Sequence, residues 1–436
     1  MSLYSEHIED ISFLYDQRNA LIADSDVPWV NLQKFEERIE AHIDALVVGG
    51  QAALELCRAR AAEGDAGELH AAVCVFCRCK ASALLEEVWR TLDFGDAAKV
   101  RAVTEALKLE LPQEWNKICE QALIRAGEEL VPILSIVCAS RRIPVGEELL
   151  GRLTERPDLV RPQTLWALGR IATTGPAVPS LLRYCDHAEP DVKASALLAL
   201  LRIGERRDLH AFYLVAQLED WPQVALGLSG NQSAATVLRQ RVESGRATPN
   251  TLLSLGLLGD VTTVRALRLQ LLDETLAPSA ALALHWITGA PLYGDEFVAD
   301  EMSTSELFDA ELTAWRESGE LPRRSDGKPF GHMVQKLACD AAQWDGWLEI
   351  NAPRFDSKLR YRRGQPYSLT AVFHCLLDES APGILRRLAY EELVIRFGCP
   401  VPFETDWRVV NQRAALREMA RWATMEKDVG AVGGWQ

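Results

Sequence analysis

At 436 residues the chain is longer than one ordinary hydrophobic core, and 48% hydrophobic with 25% charged residues is the composition of a folded globular protein. The formal net charge of −15 opposes a phosphate backbone, so general nucleic-acid binding is set aside. Apolar stretches break well short of the roughly 18 residues a membrane span needs, and Glu6, Glu9 and Asp10 sit where an export signal would be basic and apolar.

The expectation is a cytoplasmic protein whose ten cysteines stay mostly reduced. In chain order, Ile8, Ile11, Phe13 and Leu14 follow helical spacing, and a break at Ser25-Asp-Val-Pro-Trp29 ends that helix. Leu32, Phe35, Ile39, Ile43 and Leu46 then mark one face of a strong amphipathic helix. Residues 1–70 hold fourteen acids against five bases, which makes them an acidic helical front end. Residues 71–160 read as irregular helix pairs, with Ala71–Leu92 as one long apolar helix and Leu107–Ala126 as another.

Residues 161–290 repeat a phrase. Ala167-Leu-Gly-Arg-Ile-Ala returns from Ala199, Ala225, Ser254 and Ala283, at intervals of 32, 26, 29 and 29 residues. A period of about 20–50 residues marks a stacked repeat array, in which each unit is a helix pair. Small Ala and Gly at recurring positions would let neighbouring helices approach closely. The expected class is therefore all-α: a HEAT-like α-solenoid of stacked antiparallel helix pairs, with irregular helical N- and C-terminal regions. Residues 291–331 break the pattern and read as a polar, mobile insertion around a short helix. Residues 332–427 read as a C-terminal helical region, with Val334–Trp347, an extended stretch at Ile350–Gln365 and helices at Ser368–Leu377, Gly383–Phe397 and Arg408–Lys427, and 428–436 read as a loose tail.

The Ala-Leu-Gly units with turns such as Leu258-Gly-Asp-Val resemble HEAT-like repeats of the short bacterial type. Three further phrases, Phe35-Glu-Glu-Arg-Ile-Glu-Ala-His-Ile-Asp-Ala-Leu46, Arg161-Pro-Gln-Thr-Leu-Trp-Ala-Leu-Gly169 and Arg360-Tyr-Arg-Arg-Gly-Gln-Pro-Tyr-Ser-Leu369, resemble an uncharacterised bacterial HEAT-repeat family often encoded beside type VI secretion genes. The resemblance implies a non-catalytic adaptor that binds one or more proteins, a secretion component or effector among them. It supplies no catalytic residues.

Several constellations carry residue types suited to chemistry. His70, Cys74 and Cys77, with Cys79 nearby, share a helix face and have zinc-type donors, but a closed zinc site needs four ligands and cysteine is more often a buried filler. His42 lies on a polar helix face with no nucleophile near it, and His285-Trp286 is better explained by packing. The one basic concentration is Arg354, Lys358, Arg360, Tyr361, Arg362 and Arg363, interleaved with Phe355 and Tyr367. Such a run is most often solvated or paired within its own chain. Its functional reading is a contact for an acidic protein, possible within this chain's own front end too, with phosphate or nucleic acid as the alternative. No phosphate-cradling, dinucleotide, metalloprotease or nucleophile-elbow motif is present. The sequence thus points to a scaffold without cofactor or metal, with a helical-repeat enzyme of the lyase type as the alternative.

Overall fold

A computed structural model describes residues 3–24, 27–172, 174–207, 209–299, 309–319, 322–323, 327–426 and 434–435. It is mostly helical, with 23 α-helices and four short strands among the described residues.

The repeated phrase explains how the helices stack. Helices Ala66–Arg78, Ala97–Glu110, Leu130–Ser140, Pro162–Ile171, Pro190–Arg202, Gln223–Ser229, Pro249–Leu258 and Ala277–Thr288 each pack on the next as a first row. The intervening helices, from Ser82–Thr91 to Val264–Leu269, cover them as a second row. In the first row, the glycine of one phrase faces the small opening residue of the next. A Cβ on Gly169 would lie 2.9 Å from the Ala199 Cα, one on Gly227 2.8 Å from the Ser254 Cα, and one on Gly256 3.0 Å from the Ala283 Cα. These distances are too short for any side chain, so backbone meets backbone along the seam. Leu201 and His285 stand at the glycine position in the second and fifth phrases. Beside Leu201 the row opens, and helix Gly383–Phe397 packs against both Pro190–Arg202 and Gln223–Ser229.

Two long helices expected from the pattern are each divided. Ala71–Leu92 breaks after Arg78, where Lys80 takes a φ of 55° and the Ala81 amide donates to the Phe76 carbonyl at 2.8 Å, a left-handed helix stop. Leu107–Ala126 breaks after Glu110, where Pro112 cannot supply an amide and the next helix begins at Asn116. The insertion also has more order than expected. Tyr293–Ala299 pairs antiparallel with Gly331–Leu337, Phe297 opposite Met333, and helix Asp309–Ser318 lies between them in sequence. Residues 300–308, 320–321 and 324–326 of the expected mobile insertion lie outside the described residues, as do 428–433 and 436 of the expected tail.

Beyond this ribbon the chain turns back along the first row. Tyr361–Arg362 and Gln365–Pro366 form a small hairpin against Ala277–Thr288, and helix Val409–Met425 reaches Gln33–Val48 of the front end. Buried ion pairs join the two parts. Arg170 meets Glu391 at 3.0 Å and Glu404 at 2.6 Å, while Arg202 meets Glu391 at 2.5 Å. At the front end Arg408 meets Glu40 at 2.5 Å and Glu110 at 2.9 Å, and Lys108 meets Asp406. Arg202 and Arg170 keep the Glu391 carboxyl below the usual range despite burial, and Arg78 with Arg408 does the same for Glu110. Glu40 of the acidic front end thus pairs with Arg408 of the returning segment and with Arg78, while Glu36 and Glu68 pair with Arg18 and Arg60 of the front end itself.

Candidate functional site

The basic segment does not form one surface. Arg354 and Lys358 are exposed, and Arg354 donates to the Asn351 side chain at 3.0 Å. Arg360 and Arg362 are each 1% exposed, and Tyr361 is buried beside them. Arg363 is half-buried and pairs with Asp378. With φ values of 48° and 75°, Arg363 and Gly364 make the two-residue loop of the hairpin.

Helix ends explain where the arginines go. The last carbonyls of a helix lack backbone donors and carry the negative end of its dipole. Arg360 Nε donates to the Leu258 carbonyl at 2.7 Å, and Arg362 donates to those of Gly256 at 3.2 Å and Leu257 at 2.7 Å. All three carbonyls close helix Pro249–Leu258. The hairpin backbone adds the Tyr361 amide to the Gly259 carbonyl at 2.8 Å and the Arg363 amide to that of Trp286 at 2.7 Å. Arg362 also donates to both oxygens of the fully buried Glu392, at 3.0 and 2.7 Å. The same device recurs where Arg202 donates to the Gly169 carbonyl at 3.2 Å and Arg396 to that of Gly230 at 2.8 Å. Arg360, Tyr361 and Arg362, expected on a partner-binding surface, are instead buried within the chain, and both arginines donate to carbonyls of a helix end. Only Arg354 and Lys358 present themselves to solvent in full.

The zinc-type residues sit in the core. His70 Nδ1 lies 3.2 Å from the Ala102 carbonyl, its ring stacks on Tyr15 at 4.4 Å, and Cys74 Sγ is 3.6 Å from Nε2. Burial holds the Cys74 thiol well above its ordinary pKa and pushes Cys77 up to about 12, so both are neutral. Among the described residues no group of three His, Cys, Asp or Glu side chains is placed to hold a metal ion.

Burial also pulls the pKa of His70 down to about 4. The unfolded imidazole titrates near about 6.5. Between these values the unfolded chain binds more protons, so stability is complete above the upper value and falls as the pH drops toward the lower. The expected loss is on the order of 3 kcal/mol across the window. Urea midpoints at pH 7 and pH 5 should differ more in the wild type than in His70→Gln.

His42 forms a half-buried pair with His7, Nδ1 to Nδ1 at 2.9 Å, and its pKa is lowered chiefly by burial. His285 bonds the Ala290 carbonyl at 2.9 Å through Nδ1 and packs on Tyr293, a structural role.

Two cavities bear on function. One, of about 20 Å³, lies where the front end meets residues 406–408 and is lined by Tyr15, Arg18, Glu36, His70 and Lys108 among others. Its charges are internally paired, Arg18 to Glu36 and Tyr15 to Glu105 both at 2.8 Å, and its size suits a single water. The other is an open groove of about 430 Å³ between helices Gly50–Glu63 and Ser82–Thr91. Ala59, Ala61, Ala62, Phe76, Leu84 and Val88 line it, and Glu55 and an Arg58–Glu87 pair flank it. The groove leaves no mark in the sequence pattern, because apolar spacing runs unbroken across the left-handed stop at Lys80. Among the described residues no helix is long and apolar enough to cross a membrane. No family model, curated protein or solved structure matches the chain.

Proposed function

We propose that this chain is a HEAT-like α-solenoid acting as a non-catalytic scaffold or adaptor that binds another protein on its outer side. The observation that carries the reading is the ladder of alternate helices, each packed on the next, with a Gly-to-small-residue seam at Gly169, Gly227 and Gly256. Repeat stacks of this kind present long preformed surfaces, and preformed surfaces bind with little ordering cost. Residues 360–404 of the same chain already lie against first-row helices from Pro162–Ile171 to Ala277–Thr288, so the contact is proposed on the other row.

The groove between Gly50–Glu63 and Ser82–Thr91 is the outer feature best suited to a partner. Its alanine-rich walls and Phe76 floor fit the apolar face of an amphipathic helix. The resemblance to repeat proteins encoded beside type VI secretion genes makes a cytoplasmic component or effector of such a system the first partner to try.

Tagged full-length chain and an Ala62→Trp, Leu84→Glu variant, which fills and charges the groove, test this in a native-host pull-down. The expected result is one stoichiometric protein captured by the wild type and lost by the folded variant. Equal capture by both would move the contact elsewhere, and capture of nothing under secretion-inducing conditions would remove the adaptor reading.

A further inference from the structure

We infer, resting on the adaptor reading, that the groove beside helix Ser82–Thr91 receives a short cationic amphipathic helix, apolar on its buried side and with lysine or arginine at the end that reaches Asp93. The groove of about 430 Å³ does not close at Thr91. A second cavity, of about 100 Å³, shares Ala61, Ala62, Val88 and Thr91 with it and continues past Leu92 to Asp93, Asp96 and Lys99. From Leu84 to Thr91 the channel follows about 10 Å of helix, at about 1.5 Å per residue, which matches two turns of a partner helix. Ala59, Ala61 and Ala62 line one wall, so a partner backbone can come close there.

Charge decides the kind of helix. Among the described residues the acids on the two linings are Glu55, Glu87, Asp93 and Asp96, and the bases are Arg58 and Lys99. Arg58 is taken by Glu87 at 2.6 Å. Glu55 and Asp93 are exposed and take hydrogen bonds from neutral donors, the Gln51 side chain at 3.2 Å and the Gly95 amide at 2.8 Å. Helix ends add to this at the Asp93 end. Helices Gly50–Glu63 and Ser82–Thr91 both finish there, which places their last carbonyls and the negative ends of their dipoles at the channel mouth. Helices Ala66–Arg78 and Ala97–Glu110 begin nearby, but Asp65 and Asp96 already cap them, accepting from the Glu68 amide at 2.8 Å and the Ala98 amide at 3.0 Å. Lys99 is one positive charge set against all of these. The first seventy residues, with fourteen acids against five bases, extend the same field around the groove. An anionic helix would meet like charge at both ends, at Glu55 and at Asp93, whereas a cationic one meets its complement.

The test is fluorescence anisotropy of two designed helical peptides on the full-length chain. Both carry leucine and alanine on one face, and the opposite face is lysine in one and glutamate in the other. The lysine peptide is expected to bind saturably and about tenfold more tightly than the glutamate peptide at low salt, with the gap narrowing as salt rises. Ala62→Trp fills the groove without changing charge and should abolish this binding, which separates it from diffuse attraction to an acidic protein. Glu55→Gln combined with Asp93→Asn removes two exposed charges but keeps their hydrogen-bond acceptors, and should weaken the lysine peptide about tenfold. Equal affinity for the two peptides, no binding of either, or undiminished affinity in either variant would overturn the inference. A native-host partner captured through the groove alongside any of those results would leave the adaptor reading standing without it.

Discussion

Glu392→Gln is expected to cost about 3–5 kcal/mol, the usual penalty for removing one partner of a buried ion pair and leaving the other charged. The carboxylate is fully buried and accepts two bonds from Arg362 and one from the Tyr367 hydroxyl, with Arg360 and Arg396 within 3.8 Å. Glutamine keeps the shape and one acceptor but removes the charge that makes those neighbours tolerable. Because the network joins the returning segment to the helix ladder, the loss should appear as earlier release of residues 360–404. Urea unfolding followed by limited proteolysis would read it. Lys358→Ala, on the exposed part of the same segment, should stay within about 0.5 kcal/mol of the wild type. A Glu392→Gln protein as stable as the Lys358→Ala control would mean the network does not hold the segment in place.

Gly259→Ala should cost about 3 kcal/mol, from two sources that a second glycine separates. Gly259 ends helix Pro249–Leu258 with a φ of +73°, and a Cβ there would lie 2.2 Å from the Tyr361 carbonyl oxygen. Gly245 has nearly the same φ, +70°, with nothing within 4 Å of its Cβ. Gly245→Ala therefore carries only the left-handed strain, about 1 kcal/mol. The excess in Gly259→Ala measures how closely the hairpin backbone is pressed on the helix end. Equal losses in the two variants, read from urea midpoints, would contradict that contact.

Much of the helix ladder was legible because its signal is local and repeated. Gly169, Gly227 and Gly256 stand out in the sequence as small residues at a fixed place in a phrase, and the structure puts each against the opening residue of the next phrase. Helix breaks were harder to see. At Lys80 an ordinary side chain takes a left-handed conformation, and no composition signal marks it. Pro112 did carry a signal, but the apolar spacing on either side outweighed it. The ribbon of Tyr293–Ala299 and Gly331–Leu337 joins segments over thirty residues apart, and its strands are largely exposed, so no buried alternation announced them. The basic segment illustrates the main limit. Arg360 and Arg362 are buried because helix Pro249–Leu258 ends in front of them and Glu392 lies behind, and both partners are distant in sequence. The Arg-Gly pair at 363–364, flanked by short extended stretches, was the one local clue to a hairpin there.

The central structural claim is that residues 360–367 are sealed against the ends of the last repeat helices. Hydrogen–deuterium exchange of the full-length chain, read by mass spectrometry, tests it most directly. The Tyr361, Arg363 and Gly364 amides donate to the carbonyls of Gly259, Trp286 and Ile287, so peptides covering them should exchange as slowly as those from helix Pro249–Leu258. Exchange of the 360–367 peptide as fast as that of exposed residues 356–358, with the repeat helices still protected, would contradict it.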